Sequence, residues 1–298
     1  MRAAVVGLGD IARKAYLPVL AARADLDLVL CTRDRATLDA VGDAYRLPDR
    51  HTDVESVIAT GLDLAFVHVA TTAHVEVVTR LLDAGVPTFV DKPLAYTAAE
   101  SARLVDLARS RATSLMVGFN RRFAPLYAPR PGESPSLVSL QKNRHAAPDE
   151  PRRVVFDDFI HVIDTLRFIA PEAKLTEVYC DIDAGRLGLV AVLLSAPGVV
   201  LFGSMNRDGG HTQEVLDLQG SGWRRVVTDI AQTQELRAGR EVVMRRGDWT
   251  PVHVQRGFTA MCDHFIAAVR RGEVLDAVDA LRTHEMCEGI LGEVGTRV

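Results

Sequence analysis

The 298-residue sequence predicts an α/β chain in two parts: an N-terminal doubly wound parallel sheet, then an α+β domain with a mainly antiparallel open sheet. Three observations predict it. From Arg2 to Val117 short apolar runs alternate with helical patterns, as a parallel sheet with crossover helices requires. The first run leads into Gly7-x-Gly9-x-x-Ala12, a glycine-rich turn from strand to helix. After Arg122 strand patterns follow one another, with hairpin punctuation at Ala196-Pro-Gly198 and Gly220-Ser-Gly222. A junction near Asn120 then separates a first domain, 1–120, from a second, 121–298.

In the first domain, strands are predicted at Ala3–Val6, Leu26–Cys31, Leu64–Val69, Thr88–Val90 and Ser114–Val117. They are apolar on both faces, which suits strands covered by helices on each side. Helices are predicted at Ile11–Ala22, Ala36–Ala44, Ala73–Ala84 and Ala98–Arg109, with a kink or early end at Pro18. The opening strand, turn and helix make a dinucleotide-binding unit of the Rossmann type. Gly7 permits the tight turn, and Gly9 has no side chain to block a pyrophosphate. Ala12 lets helix and strand pack closely. An anion there meets the unpaired N–H groups of the helix start, so Asp10 and Ile11 join Gly7 and Gly9 as cofactor-binding residues.

The end of the second strand reads the ribose. Thr32 stands about where an NAD enzyme carries an acid, with Arg33 next. A hydroxyl and a guanidinium suit a 2′-phosphate, so the reading favours NADP over NAD. Asp34, two residues late, keeps NAD as the alternative. Ala70, Thr71 and Thr72 follow the third long strand, where the ends of a parallel sheet face the ligand crevice; His74 opens the next helix and suits a structural role equally well. The next strand ends in Asp91-Lys92-Pro93, which places a lysine at the mouth of the sheet. Such a lysine can donate to a substrate oxygen.

The second domain begins with a Pro-rich loop, residues 128–135, and continues with strands at Leu137–Asn143, Leu175–Ile182, Leu187–Leu194, Val199–Met205, Glu214–Leu218, Trp223–Thr228 and Glu241–Arg245. Helices close the chain at Phe258–Arg271 and Val278–Leu291. The long apolar run Leu187–Met205 is cut by Ser195-Ala-Pro-Gly198, which makes it a hairpin and not a membrane span. A further helix carries Asp157, His161 and Asp164, on one face at about 100° per residue, with Phe159, Val162, Ile163 and Leu166 opposite. An imidazole between carboxylates is an acid–base device, or else a solvated face with local ion pairs. A metal site lacks an identifiable third ligand, so none is assigned. Arg144, His145, Trp249 and His253 are polar or aromatic candidates for substrate contact in this domain.

A net charge of −4 gives no electrostatic footprint for nucleic acid or an anionic membrane. Cys31, Cys180, Cys262 and Cys287 are scattered without a C-x-x-C pair, so neither a zinc site nor a disulfide framework is predicted. Met1 runs straight into a strand, which leaves no room for a signal peptide and points to the cytoplasm.

Gly7-Leu-Gly-Asp-Ile-Ala12, Asp91-Lys-Pro93 and Gly118-Phe-Asn-Arg-Arg-Phe123 together resemble landmarks of the Gfo/Idh/MocA oxidoreductases, and within them the MviM-like group. The family's middle motif is Glu-Lys-Pro, from which Asp91 departs conservatively. The resemblance implies a catalytic set of Lys92, Asp157 and His161, selecting Asp157 over Asp158. Asp91, Lys92 and Asn120 fall near the cofactor; Asn120 and Arg121 follow the domain junction, where they either touch ligand or fasten the loop. It further implies a homodimer or homotetramer and a small sugar or polyol-like substrate. Two rivals stand beside this: a non-catalytic sensor of NADP(H) or a sugar, and a glycosidase using transient oxidation.

Overall fold

The computed structural model describes residues 1–128 and 130–295, so Pro129 of the predicted Pro-rich loop and the last three residues of the second domain lie outside the described residues. The chain forms two compact units, Met1–Phe119 with Phe258–Leu281, and Asn120–Gly257 with Arg282–Val298.

The first unit holds a six-stranded parallel sheet of β1 (Arg2–Val6), β2 (Asp27–Cys31), β3 (Arg50–His51), β4 (Leu64–Val67), β5 (Thr88–Asp91) and β6 (Leu115–Gly118). Its spatial order is β3-β2-β1-β4-β5-β6. The order reverses between β1 and β4, and a crevice for ligand opens at the C-terminal ends of those strands. Val5, Leu30, Phe66 and Phe89 are fully buried, as strands covered on both faces should be. The two-residue β3 and the short helix Val54–Ile58 were not predicted, since neither is long enough to show a period.

Pro18 has its effect. In place of one helix from Ile11 to Ala22, a π-helical turn spans Ala12–Tyr16 and an α-helix spans Leu17–Leu20. Proline lacks an N–H and its ring strikes the carbonyl four residues back. The wider turn accommodates both, with the Leu17 N–H donating to the Ala12 carbonyl.

The helix Phe258–Arg270 belongs to the first unit, although the sequence places it within 121–298. Aromatic edges hold it: Phe258 meets Tyr16 with ring centres 5.2 Å apart, and Phe265 meets Phe66 at 5.5 Å. Arg23–Asp263 and Arg270–Asp25 ion pairs fasten its surface. A return of the chain to its first domain leaves no local sequence signal.

The second unit holds an eight-stranded sheet of β7 (Leu137–Asn143), β8 (Lys174–Asp183), β9 (Arg186–Ala196), β10 (Val199–Asn206), β11 (Gln213–Gly220), β12 (Trp223–Thr228), β13 (Gln232–Arg237) and β14 (Arg240–Arg245). The order is β14-β13-β12-β11-β7-β10-β9-β8, antiparallel except where β7 and β10 run side by side in parallel. The apolar run Leu187–Met205 forms the β9–β10 hairpin, as predicted. Strand β13, Gln-Thr-Gln-Glu-Leu-Arg, is too polar to be read as a strand. The helix Ile160–Ile169 buries Val162, Ile163 and Leu166. Gly203 of β10 permits its close approach, since a Cβ there would lie 2.9 Å from Leu166 Cδ1 and Val162 Cγ1. Among the described residues no helix is long and apolar enough to cross a membrane.

Candidate active site

At the β1–β4 crevice a cleft of about 350 Å³ is lined by Gly7, Gly9, Thr32, Arg33, Val69 and Ala70, among others. The two glycines serve it differently. Gly7 has φ of +94°, and a Cβ there would stand 2.5 Å from the Val69 nitrogen and 2.6 Å from the His68 carbonyl carbon. No other residue fits without moving backbone. Gly9 has nothing within 4 Å of its missing Cβ, so its backbone lies open to a bulky anion. Both observations fit a pyrophosphate at this turn. Asp10 and Ile11 are exposed beside it.

Arg33 is exposed on the cleft wall and makes no ion pair or hydrogen bond among the described residues. Asp34, the alternative ribose acid, is committed elsewhere: its carboxylate accepts the Thr37 N–H at 2.6 Å and caps the helix Arg35–Tyr45. Asp53 also lines the cleft while capping Val54–Ile58 through Ser56, a cleft residue that the sequence did not reveal. Thr71 and Thr72 lie in a 3₁₀ turn after β4. His74 is buried with Nδ1 2.8 Å from the Pro93 carbonyl and Nε2 3.1 Å from the Val69 carbonyl. That geometry makes His74 a fastener between β4 and β5 loops and leaves no ring nitrogen for cofactor.

Lys92 follows β5, partly buried, and its N–H donates to Asp91 Oδ1 at 3.0 Å. Tyr16 Oη donates to the same oxygen at 3.2 Å. Burial raises the Asp91 carboxyl above its ordinary pKa, and the Lys92 charge opposes the rise. Tyr16 also stacks on His68 with ring centres 3.9 Å apart. Among the described residues both His68 nitrogens are buried without a hydrogen-bond partner, and burial pushes the imidazole pKa down to about 3, so it is neutral. Neither Tyr16 nor His68 was anticipated, because in sequence each reads as an ordinary core aromatic.

In the second unit the predicted polar face separates. Val154–Phe159 is a π-helical turn, and regular α-helix begins at Ile160. Asp157 and His161 are partly exposed, but Asp164 is almost fully buried. Arg122 donates to Asp164 through Nε and Nη2 at 2.9 and 2.6 Å, and Thr283 Oγ1 donates at 3.1 Å. Asp164 is therefore a structural anchor, against the expectation that it shares a solvated face with His161. Both lie in the regular helix, and it is Arg122 and Thr283, the latter from the C-terminal helix, that cover the Asp164 side.

Asp158 is engaged by three cations: Lys142 Nζ at 2.5 Å, Arg144 Nε at 2.7 Å and Arg207 Nη1 at 2.9 Å. Burial alone would raise the Asp158 carboxyl; Lys142 and Arg144 hold it well below the usual carboxylate range. Beside it, Arg121 grips Glu214 at 2.8 and 2.6 Å, and Tyr127 Oη donates to Glu214 at 2.8 Å. Asn120 Nδ2 donates to the Arg256 carbonyl at 2.8 Å. Asn120 and Arg121 thus fasten the start of this unit. Of the substrate candidates, Arg144 is held by Asp158, His145 Nδ1 lies 3.1 Å from the Gly209 carbonyl, and Trp249 is 96% exposed. Among the described residues no three His, Cys, Asp or Glu side chains are grouped to hold a metal ion.

Residues 1–119 match the family GFO_IDH_MocA, described as "Oxidoreductase family, NAD-binding Rossmann fold". A Salmonella typhimurium protein named "Putative oxidoreductase YceM" is 35% identical over 283 residues, covering 92% of this chain and 91% of its own. The chain belongs to the Gfo/Idh/MocA oxidoreductase family. A solved Gfo/Idh/MocA oxidoreductase from Vibrio cholerae matches it with a TM-score of 0.93 and 33% identity, over 100% of this chain and 99% of the other. A Streptomyces leeuwenhoekii protein named myo-inositol dehydrogenase Hyg17 is 36% identical over 128 residues, 43% of this chain and 39% of its own. The first unit thus carries the NAD-binding Rossmann fold of the Gfo/Idh/MocA family, and its relatives include a protein named as a myo-inositol dehydrogenase.

Proposed function

We propose that this Gfo/Idh/MocA protein is an NADP(H)-preferring oxidoreductase acting on a hydroxyl or carbonyl carbon of a sugar or polyol-like small molecule. One observation carries the reading. Of the four ionisable side chains at 157, 158, 161 and 164, Asp158 and Asp164 are consumed in buried ion clusters, while Asp157 and His161 stay partly exposed. These two are the pair that the family resemblance assigns to chemistry.

Gly7 and Gly9 would hold the pyrophosphate and Arg33 the 2′-phosphate, because Arg33 has no partner among the described residues while Asp34 is occupied as a helix cap. The bound dinucleotide supplies hydride exchange with a carbinol carbon. His161 takes or returns the hydroxyl proton at its imidazole. Lys92 donates a hydrogen bond to the reacting oxygen and stabilises charge there. Asp157 orients His161 or binds a neighbouring hydroxyl. Asp91, itself held by Tyr16, positions the lysine backbone through the Lys92 N–H. The chain acts as a homodimer or homotetramer.

A screen of polyols and sugars with NADP, followed by nicotinamide absorbance, tests the proposal. Turnover of a polyol that His161→Ala abolishes supports it. Binding of NADPH with no polyol or sugar turned over in either direction favours a sensor instead.

A further inference from the structure

The two edges of the second sheet are built differently. Edge strand β8 carries Lys174, Glu177, Asp181 and Asp183, and its pairing with β9 shifts register between Leu175 and Glu177 and again between Asp181 and Ile182. Bulges of this kind twist an edge and stop it from recruiting another strand. Edge strand β14 also carries charges, at Arg240, Glu241 and Arg245, but has no bulge. It pairs with β13 without interruption from Arg240 to Arg245, contains no proline, and is exposed along its whole length. At its centre Val242, Val243 and Met244 are 53%, 49% and 42% exposed.

The backbone fixes which groups look outward. Strands β13 and β14 are joined by Ala238-Gly239, both at positive φ, the two-residue turn whose flanking pair is hydrogen-bonded. Bonding alternates from there, so Arg240, Val242 and Met244 bond to β13. Arg246 N–H, bonded to the Ala231 carbonyl at 3.0 Å, continues the same parity. The N–H and C=O groups of Glu241, Val243 and Arg245 therefore point to the open edge.

We propose that β14 pairs antiparallel with β14 of a second copy of this chain, about a two-fold axis at Val243. In that register Val243 faces itself, and Glu241 and Arg245 face each other twice. All three outward-pointing residues are then in hydrogen-bonded positions. Axes at Val242 or Met244 also satisfy bonding parity but leave Glu241 and Arg245 without each other. Neither Glu241 nor Arg245 makes an ion pair among the described residues; Gln234 and Gln232 hold them on one face of the strand. This contact is distinct from any covering of the sheet's broad face, and it does not depend on the proposed chemistry.

Sedimentation of the full chain, wild type and variants, tests it. Val243→Pro removes only an outward N–H, so the hairpin survives while edge pairing is lost; the assembly mass should halve with the far-ultraviolet spectrum unchanged. Glu241→Arg should also halve it, and Glu241→Arg with Arg245→Glu should restore it. Opposed residues in such a pair have Cα atoms about 5.5 Å apart, within disulfide reach. In a Cys180→Ser background, Val243→Cys should therefore give a covalent dimer on oxidation and Val242→Cys should not. A monomeric wild type, a Val243→Pro variant of undiminished mass, or equal cross-linking at 242 and 243 would each overturn the proposal.

Discussion

The first unit keeps its site as bare backbone and a cation, Arg33, unpartnered among the described residues; the second surrounds its site residues with buried ion pairs. Gly7, Gly9 and Arg33 are poised by shape and exposure. Around Asp157 and His161, by contrast, Asp158, Asp164 and Glu214 are each bound by one or more arginines or a lysine. Mutations should therefore register differently in the two units. Substitutions in the first unit should change ligand binding with little loss of stability, unless they strike Gly7. Substitutions among the second unit's charges should change stability first.

The sharpest break in that contrast is Asp158→Ala. Removing the carboxylate leaves Lys142, Arg144 and Arg207 facing one another in a buried cluster, which should cost about 3–5 kcal/mol in denaturant unfolding. Next in size is Lys92→Ala. Loss of one donor to the reacting oxygen should lower kcat by about 10²–10³-fold, while dinucleotide affinity stays within a few-fold. Unchanged turnover would remove Lys92 from the chemistry.

Glu214 gives the second unit an acid limb. Burial pushes its pKa up, but Arg121 and Lys142 overcome this and bring it from 4.5 down to about 2. A depressed carboxylate contributes stability that is present above its unfolded pKa and lost as pH falls through the folded value. Stability should therefore drop between pH 4.5 and about 2, with Glu214→Gln flattening that limb and lowering stability at neutral pH by about 3 kcal/mol. Acid titration of thermal unfolding checks both. Gly9→Ala sharpens the other side: nothing surrounds its Cβ, so unfolding should shift by less than about 1 kcal/mol while NADPH affinity falls. Gly7→Ala, which collides with the Val69 backbone, should lose both.

Much of the first unit was legible because its signals are local. Gly7-x-Gly9 sits between an apolar strand and a helix, and the expected parallel sheet follows with boundaries within two residues for most strands. What escaped was non-local. The return of Phe258–Arg270 depends on aromatic contacts with Tyr16 and Phe66, more than 190 residues away in sequence. In the second unit, Asp157, His161 and Asp164 share a face on a helical wheel, with Asp158 beside it. Their separation into exposed and buried members is set by Lys142, Arg144, Arg207 and Arg122, which come from other elements. Resemblance to the family chose Asp157 over Asp158; periodicity alone did not.

Fluorescence titration of the purified chain with NADPH and NADH, repeated on Arg33→Ala, tests the role of the cleft. Saturable NADPH binding is predicted, tighter than NADH, with the preference reduced about tenfold by Arg33→Ala and NADH binding unmoved. Equal or tighter binding of NADH by the wild type would contradict the role given to Arg33. Failure of either nucleotide to bind, once the preparation is shown free of carried-over nucleotide, would contradict the oxidoreductase assignment of the site itself.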